Sequence, residues 1–229
     1  MNYIEPVLLK ELNEADYDSL MQYRVRKILM ICSNYDAFIL EEDGQIETQI
    51  YNEYIDLNLS SPPKFVWVTT SEQAQQILET SRDIDMVISM YNMGDKDVFS
   101  LASSLKAKGS NIPFVLLTHF SKEVYRRLSL QDTSGIDYMF SWHGNADLIV
   151  AIVKLFEDLK NAEHDILDVG VQAILLVEDS VRYYSTYLPE LYKLVLKQSS
   201  EFLKETLNEQ QKKGRKRSRP KILLVNNFD

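Results

Sequence analysis

The chain has 229 residues, 45% hydrophobic and 26% charged, the composition of an ordinary globular protein of one or two domains. Its formal net charge of −9 argues against nucleic acid as a main partner. The single cysteine, Cys32, excludes a disulfide framework and suits a reducing cytoplasm. The N-terminus carries acidic Glu5, Glu11, Glu14 and Asp16 where a signal peptide would be basic, and no apolar run approaches the ~18 residues that span a bilayer.

Residues 1–26 read as an N-terminal extension with a helix from Asn13 to Arg26, striped by Leu12, Ala15, Leu20 and Met21. KILMIC, 27–32, is an apolar run suited to a buried strand. A long segment follows, in which Ile46, Ile50, Tyr51, Tyr54 and Ile55 share a helical face, with Gly44 as a candidate break. Ser60-Ser61-Pro62-Pro63 ends that helix. FVWVTT, 65–70, is a second strand, and Ser71 is the expected cap of the next helix.

A third strand, 84–90, precedes a helix capped by Asp95 or Asp97, striped by Val98, Leu101, Ala102 and Leu105, and stopped by Gly109. IPFVLLTHF, 112–120, is a fourth strand, followed by a short helix from Ser121. GIDYMFSW, 135–142, is a fifth, and Asn145 caps an amphipathic helix containing Leu148, Ile149, Ile152, Leu155, Phe156 and Leu159. Strands alternating with helices over 27–160 predict a doubly wound, five-stranded parallel α/β sheet, with the flavodoxin-like order 2-1-3-4-5 the first choice.

Residues 161–170 read as a short polar junction. A second unit, 171–229, repeats the opening pattern: strand AILLV ending in Glu178 and Asp179, a Tyr- and Leu-rich helix that Pro189 should kink or restart, a basic connection at 210–220, and strand KILLV. A β-α-β start with no third strand does not close a sheet. The expectation is therefore an incomplete second unit and the front part of a longer protein.

The central strand and its loop, DIDMVISMYNMGD, resemble the phosphoacceptor loop of the response-regulator receiver family. Asp85 matches the motif's opening Asp and Met93 its later Met. Met90 stands at the position of the acceptor Asp, and a thioether has no anionic oxygen to take a phosphoryl group. Ser33 and Asn34 occupy the place of the Mg²⁺-binding acidic pair. Thr118 matches the switch Thr. Ser141 and Trp142 stand where the Lys belongs. The resemblance thus implies a receiver fold from two-component phosphorelay signalling that has lost the charges on which phosphoryl transfer depends.

In the second unit Glu178 and Asp179 match the acidic pair. They form an Mg²⁺ site on one reading and a solvated helix-capping turn on the other, and the turn is favoured. No other cofactor is expected. His119, His143 and His164 could gather at the carboxyl edge of the sheet, but a zinc site would want a third ligand beyond the pair that closes consecutive strands. No Gly-rich phosphate loop and no nucleophile-elbow motif is present. The Arg/Lys run at 212–219 reads as a solvated connection.

A narrower resemblance rests on CSNYDAFILEEDG, YNEYIDLNLSSPP, SGIDYMFSW, LFEDLKNAEHD, VGVQAILLVEDSVRYYSTYLPELY and RPKILLV. These look like the N-terminal region of bacterial proteins in which degenerate tandem receivers precede a PEP/pyruvate-binding domain of the pyruvate phosphate dikinase or PEP synthase type. The resemblance implies a non-catalytic regulatory module that works through protein partners or downstream domains of its own polypeptide. No nucleic acid or membrane is implied as partner. Receivers often dimerise through their last helices and strands, so a homodimer is compatible. The alternative is an N-terminal fragment of such a phosphotransferase. A third reading, a flavodoxin-like cofactor binder, predicts flavin absorbance.

Overall fold

The computed structural model describes residues 19–33, 46–56, 59, 61–91, 97–119, 124, 126, 128, 130–204 and 218–225. Strands β1 (Lys27–Ile31), β2 (Lys64–Val68), β3 (Met86–Met90), β4 (Phe114–Thr118) and β5 (Tyr138–Ser141) form a parallel sheet. Its order is β2-β1-β3-β4-β5, the doubly wound, flavodoxin-like order. Alternation divides the strands between two cores. Ile28, Met30, Met86, Ile88, Val115, Leu117 and Phe140 face helices α1 (Ile46–Asp56) and α4 (Ala146–Ala162). Leu29, Ile31, Val87, Phe114 and Leu116 face α2 (Ser71–Thr80) and α3 (Asp97–Ala107). Burial on both faces is why the strands read as unbroken apolar runs.

Several local expectations need correction. The cap of α2 is Thr70, whose side chain accepts the Gln73 N–H at 3.2 Å; Ser71 is already helical. Asn145 caps α4 as expected, accepting the Asp147 N–H. Gly109 takes the left-handed conformation, φ 75°, that ends α3. Asp97 is the first residue of α3, while Asp95, Gly44 and Ser121 lie outside the described residues. The polar junction expected at 161–170 is largely helical: α4 passes directly into a π-helical turn, Glu163–Asp168. Helix α5 (Val181–Lys204) continues across Pro189 without restarting.

Of the expected helix from Asn13 to Arg26, the described part keeps helical backbone only at Ser19, and residues 21–26 form no helix. Met21 has φ 51°, a left-handed conformation that costs an L-residue roughly 1–2 kcal/mol and stops any helix. Side chains of α4 and of the π-helical turn after it take up the backbone groups that a helix would have satisfied. The Val25 N–H donates to Glu157 Oε1 at 3.1 Å, the Tyr23 N–H to Asn161 Oδ1 at 2.9 Å, and the Met21 N–H to Asp165 Oδ2 at 3.2 Å. Asn161 returns a bond from Nδ2 to the Tyr23 carbonyl. The spacing explains the match. Two extended residues advance about 6.6 Å, and four helical residues about 6 Å. Every second N–H of the segment therefore meets every fourth side chain of the helix.

Helix α4 also carries the second unit. Strands β6 (Ala173–Val177) and β7 (Lys221–Val225) pair in parallel, joined by α5. Both β7 and α5 pack on α4, and α5 lies along β5. Two strand edges are closed in this way. On β5, the Met139 carbonyl accepts the Tyr184 hydroxyl, and the Ser141 N–H donates to Ser185 Oγ at 2.8 Å. On β7, the Ile222 N–H donates to Asp158 Oδ2 at 2.9 Å, and the Leu224 carbonyl accepts the Tyr138 hydroxyl at 3.0 Å.

Asp158, fully buried, is the centre of this junction. Its carboxylate takes both guanidinium nitrogens of Arg219, at 2.7 and 2.9 Å, and the Tyr192 hydroxyl at 2.9 Å. Burial pulls the Arg219 pKa down, but the charge and hydrogen bonds of Asp158 outweigh it and hold it above its ordinary value. Burial, followed by the charge of Asp158, pushes the Tyr192 phenol well up, so it stays a donor. Breaking a buried pair from one side strands the other charge. Asp158→Ala is therefore expected to lower the unfolding free energy by about 3–5 kcal/mol, read by urea denaturation; a loss under about 1 kcal/mol would contradict this role.

Candidate functional site: the carboxyl edge of the main sheet

Because the strands are parallel, β1, β3, β4 and β5 deliver their last residues to one edge. That edge carries Cys32 and Ser33, Met90 and Tyr91, Thr118 and His119, and Ser141 to His143. Register pairs Met90 with Leu117 and Thr118 with Ser141. Three of the candidate positions therefore lie on adjacent strands. Ser33 is half-buried at the end of β1, and Asn34 lies outside the described residues.

The edge is apolar at Met90. Met90 is 8% exposed and belongs to the same apolar cluster as Cys32, Leu117 and Trp142, all buried. Alternation along β4 sends Thr118 to the face opposite Leu117. Its hydroxyl is buried and has no hydrogen-bond partner among the described residues. Ser141 is buried as well. Its hydroxyl meets His143 Nε2 at 3.1 Å, and its N–H is held by Ser185 of the second unit. Ser141 is thus built into the seam between the two units.

Asp85 sits at the other end of β3. Its Oδ2 accepts the N–H groups of Arg26, at 2.7 Å, and Lys27, at 3.0 Å, fixing the entry into β1. His119 and His143 are exposed at the carboxyl edge, but His164 lies beyond the C-terminal end of α4, against Asp165 at 3.0 Å. The three histidines therefore do not gather at one edge. Among the described residues, no group of three His, Cys, Asp or Glu side chains could hold a metal ion.

Glu178 and Asp179 belong to the second sheet and do not join the other candidates. Glu178 Oε1 accepts the Ser180 N–H at 3.0 Å, shaping the turn into α5, and Asp179 is exposed. The basic residues at 212–217 lie outside the described residues, while Arg219 is buried on Asp158.

Sequence reading missed the polar face of α4 altogether: Lys154, Glu157, Asp158 and Asn161 are buried, as is Asp165 beyond them. An amphipathic helix normally turns such residues to water. The available signal was Arg219 and Lys221 flanking an apolar strand. Both are buried, and Lys221 Nζ reaches Asp165 at 2.8 Å. Burial, then the nearby Arg219 charge, pulls the Lys221 pKa down, against the opposing pull of Asp158 and Asp165.

No protein-family model matches the chain, and no curated protein matches it. Among solved structures it is similar to the signal receiver domain of an HD domain-containing protein from Pseudomonas fluorescens Pf-5. The identity is 19%, the match covers 62% of this chain and 97% of that one, and the TM-score is 0.41.

An unpartnered buried hydroxyl costs about 1–3 kcal/mol. Thr118→Val, which removes it while keeping the shape, is expected to raise stability by about 1 kcal/mol in urea denaturation. A loss of stability would mean that the hydroxyl is paired.

Proposed function

We propose that this chain is a non-catalytic, receiver-like regulatory module that signals through protein contacts. The observation that carries it is Met90. It ends the central strand at the place of a phosphoacceptor, yet it is a buried thioether in an apolar cluster. Phosphoryl transfer to a receiver needs an anionic oxygen and a carboxylate-held Mg²⁺ there. Ser33 at the end of β1 and Ser141 at the end of β5 supply neither a carboxylate nor an ammonium. The flavodoxin-like strand order supports the receiver resemblance at the level of fold. The parallel β6-α5-β7 unit fits the start of a second receiver-like unit, and the module is proposed to serve a PEP/pyruvate-type phosphotransferase.

Beryllofluoride with Mg²⁺ mimics the acyl phosphate of a working receiver. Amide resonances of Ser89 to Tyr91, Thr118 and Ser141 are expected to stay fixed as the mimic is titrated. A saturable shift at Thr118 would overturn the proposal.

A further inference from the structure

The main sheet ends at β2, which pairs with β1 alone. The bonds from the Lys64 N–H to the Arg26 carbonyl and from the Cys32 N–H to the Val68 carbonyl show that Lys64, Val66 and Val68 turn their backbone groups inward. The residues between them point the other way, so the N–H and C=O groups of Phe65 and Trp67 form the outer edge. That open stretch has defined ends. Pro63 has no N–H to offer, and Gln73 Oε1 already accepts the Thr69 N–H at 3.0 Å. Charged side chains usually blunt such an edge. Here it carries two stacked rings, Phe65 and Trp67, with centroids 5.8 Å apart. A groove of about 260 Å³ lies beside it, between α1 and the start of β2. Buried Ile50 and Pro63 line the groove with half-buried Pro62 and Phe65 and with Tyr51, which is 53% exposed. Glu47 lines it too, and its Oε1 accepts the Trp67 indole N–H at 2.7 Å, which places an exposed carboxylate beside both groove and edge.

We propose that this surface binds an extended basic segment of a partner protein, which adds to β2 as a further strand. Backbone bonds to Phe65 and Trp67 supply affinity, and alternate side chains supply specificity. The partner residue opposite Phe65 projects to the same face as that ring, where the groove has room for one large apolar side chain. The residue opposite Trp67, two positions away, comes beside Glu47 and is assigned as Lys or Arg. Charge supports a basic partner. Helix α1 carries Glu47, Glu53 and Asp56 and no Lys or Arg, on a chain of net charge −9. Lys64, the exposed cation of β2, stands at the Phe65 end, which leaves the Trp67 end to the partner's cation. The site gives the proposed regulatory contacts a place, but it rests on the geometry of β2 and α1 and not on the chemistry at Met90.

The test is titration of the full chain with the peptide acetyl-Thr-Lys-Thr-Leu-Thr-Lys-Thr-amide, whose pattern reads the same in both strand directions. The backbone amide resonances of Phe65 and Trp67 and the Trp67 indole N–H are expected to shift saturably, with a dissociation constant of about 1 mM or tighter. At saturation, hydrogen exchange of the Phe65 and Trp67 amides is expected to slow at least about tenfold. Glu47→Gln keeps an acceptor for the Trp67 indole and removes the charge; it is expected to weaken binding about threefold. Tyr51→Ala removes a side chain that lines the groove at an exposed position, and about a fivefold loss is expected. Both variants should keep the circular dichroism of the wild type. Absence of a saturable shift overturns the proposal. Shifts without slowed exchange overturn it too, because the peptide would then dock without pairing to the edge. So does binding that neither variant weakens, or equal binding of the same peptide with Glu in place of both Lys. Resonances of Phe65 and Trp67 that move with protein concentration alone would give the edge to a second copy and overturn it as well.

Discussion

The polar stripe of one buried helix holds this molecule together. Helix α4 lies on the main sheet as its last helix, where an amphipathic helix would normally show its charged side to water. Here that side is covered by the N-terminal segment and the second unit. Taking Asp158 and Arg219 out of water costs several kcal/mol per ion, and their attraction offsets this only with good geometry. The geometry is good: a two-pronged guanidinium, a phenol and a backbone N–H converge on one carboxylate. Replacing the pair by apolar side chains could give equal stability. What such side chains could not do is select one seating of β7 on the helix.

The same seam closes strand edges that would otherwise invite pairing. Tyr184 and Ser185 satisfy the outward backbone of β5, while Asp158 and Tyr138 do so for β7. Each set crosses between the units, so the second unit completes the first as much as it rests on it. The carboxyl edge of the main sheet is drawn into the arrangement through Ser141. On the proposed reading this matters for function. A module without phosphoryl chemistry can respond only through contacts, and here the end of β5 is already linked to α5. A partner that shifts α5 would therefore be felt at the carboxyl edge of the main sheet.

Much of the fold was legible in the sequence. Apolar runs at 27–32, 65–70, 84–90 and 112–120 suited buried strands, and their alternation with helices implied a parallel sheet. The positions of Met90, Thr118 and Ser141 followed from that order. The conformation of residues 21–26 was not legible. Their local pattern is compatible with a helix, and only side chains more than a hundred residues later decide otherwise. The buried stripe of α4 was hidden for a related reason. Glu157, Asp158 and Asn161 read as a solvated face until Arg219 and Lys221 are known to lie against them. Thr70 against Ser71 as a cap was a one-residue choice that only backbone geometry resolves.

If α4 joins the two units into one body, they should unfold together. Trp67 and Trp142 both sit in the main sheet, whereas the long helix α5 dominates the helical signal of the second unit. Urea unfolding followed by tryptophan fluorescence and by far-ultraviolet circular dichroism compares them in one experiment. The account predicts a single transition with coincident midpoints. Loss of helical signal before any change in fluorescence would contradict it, for the second unit would then be a separately stable appendage.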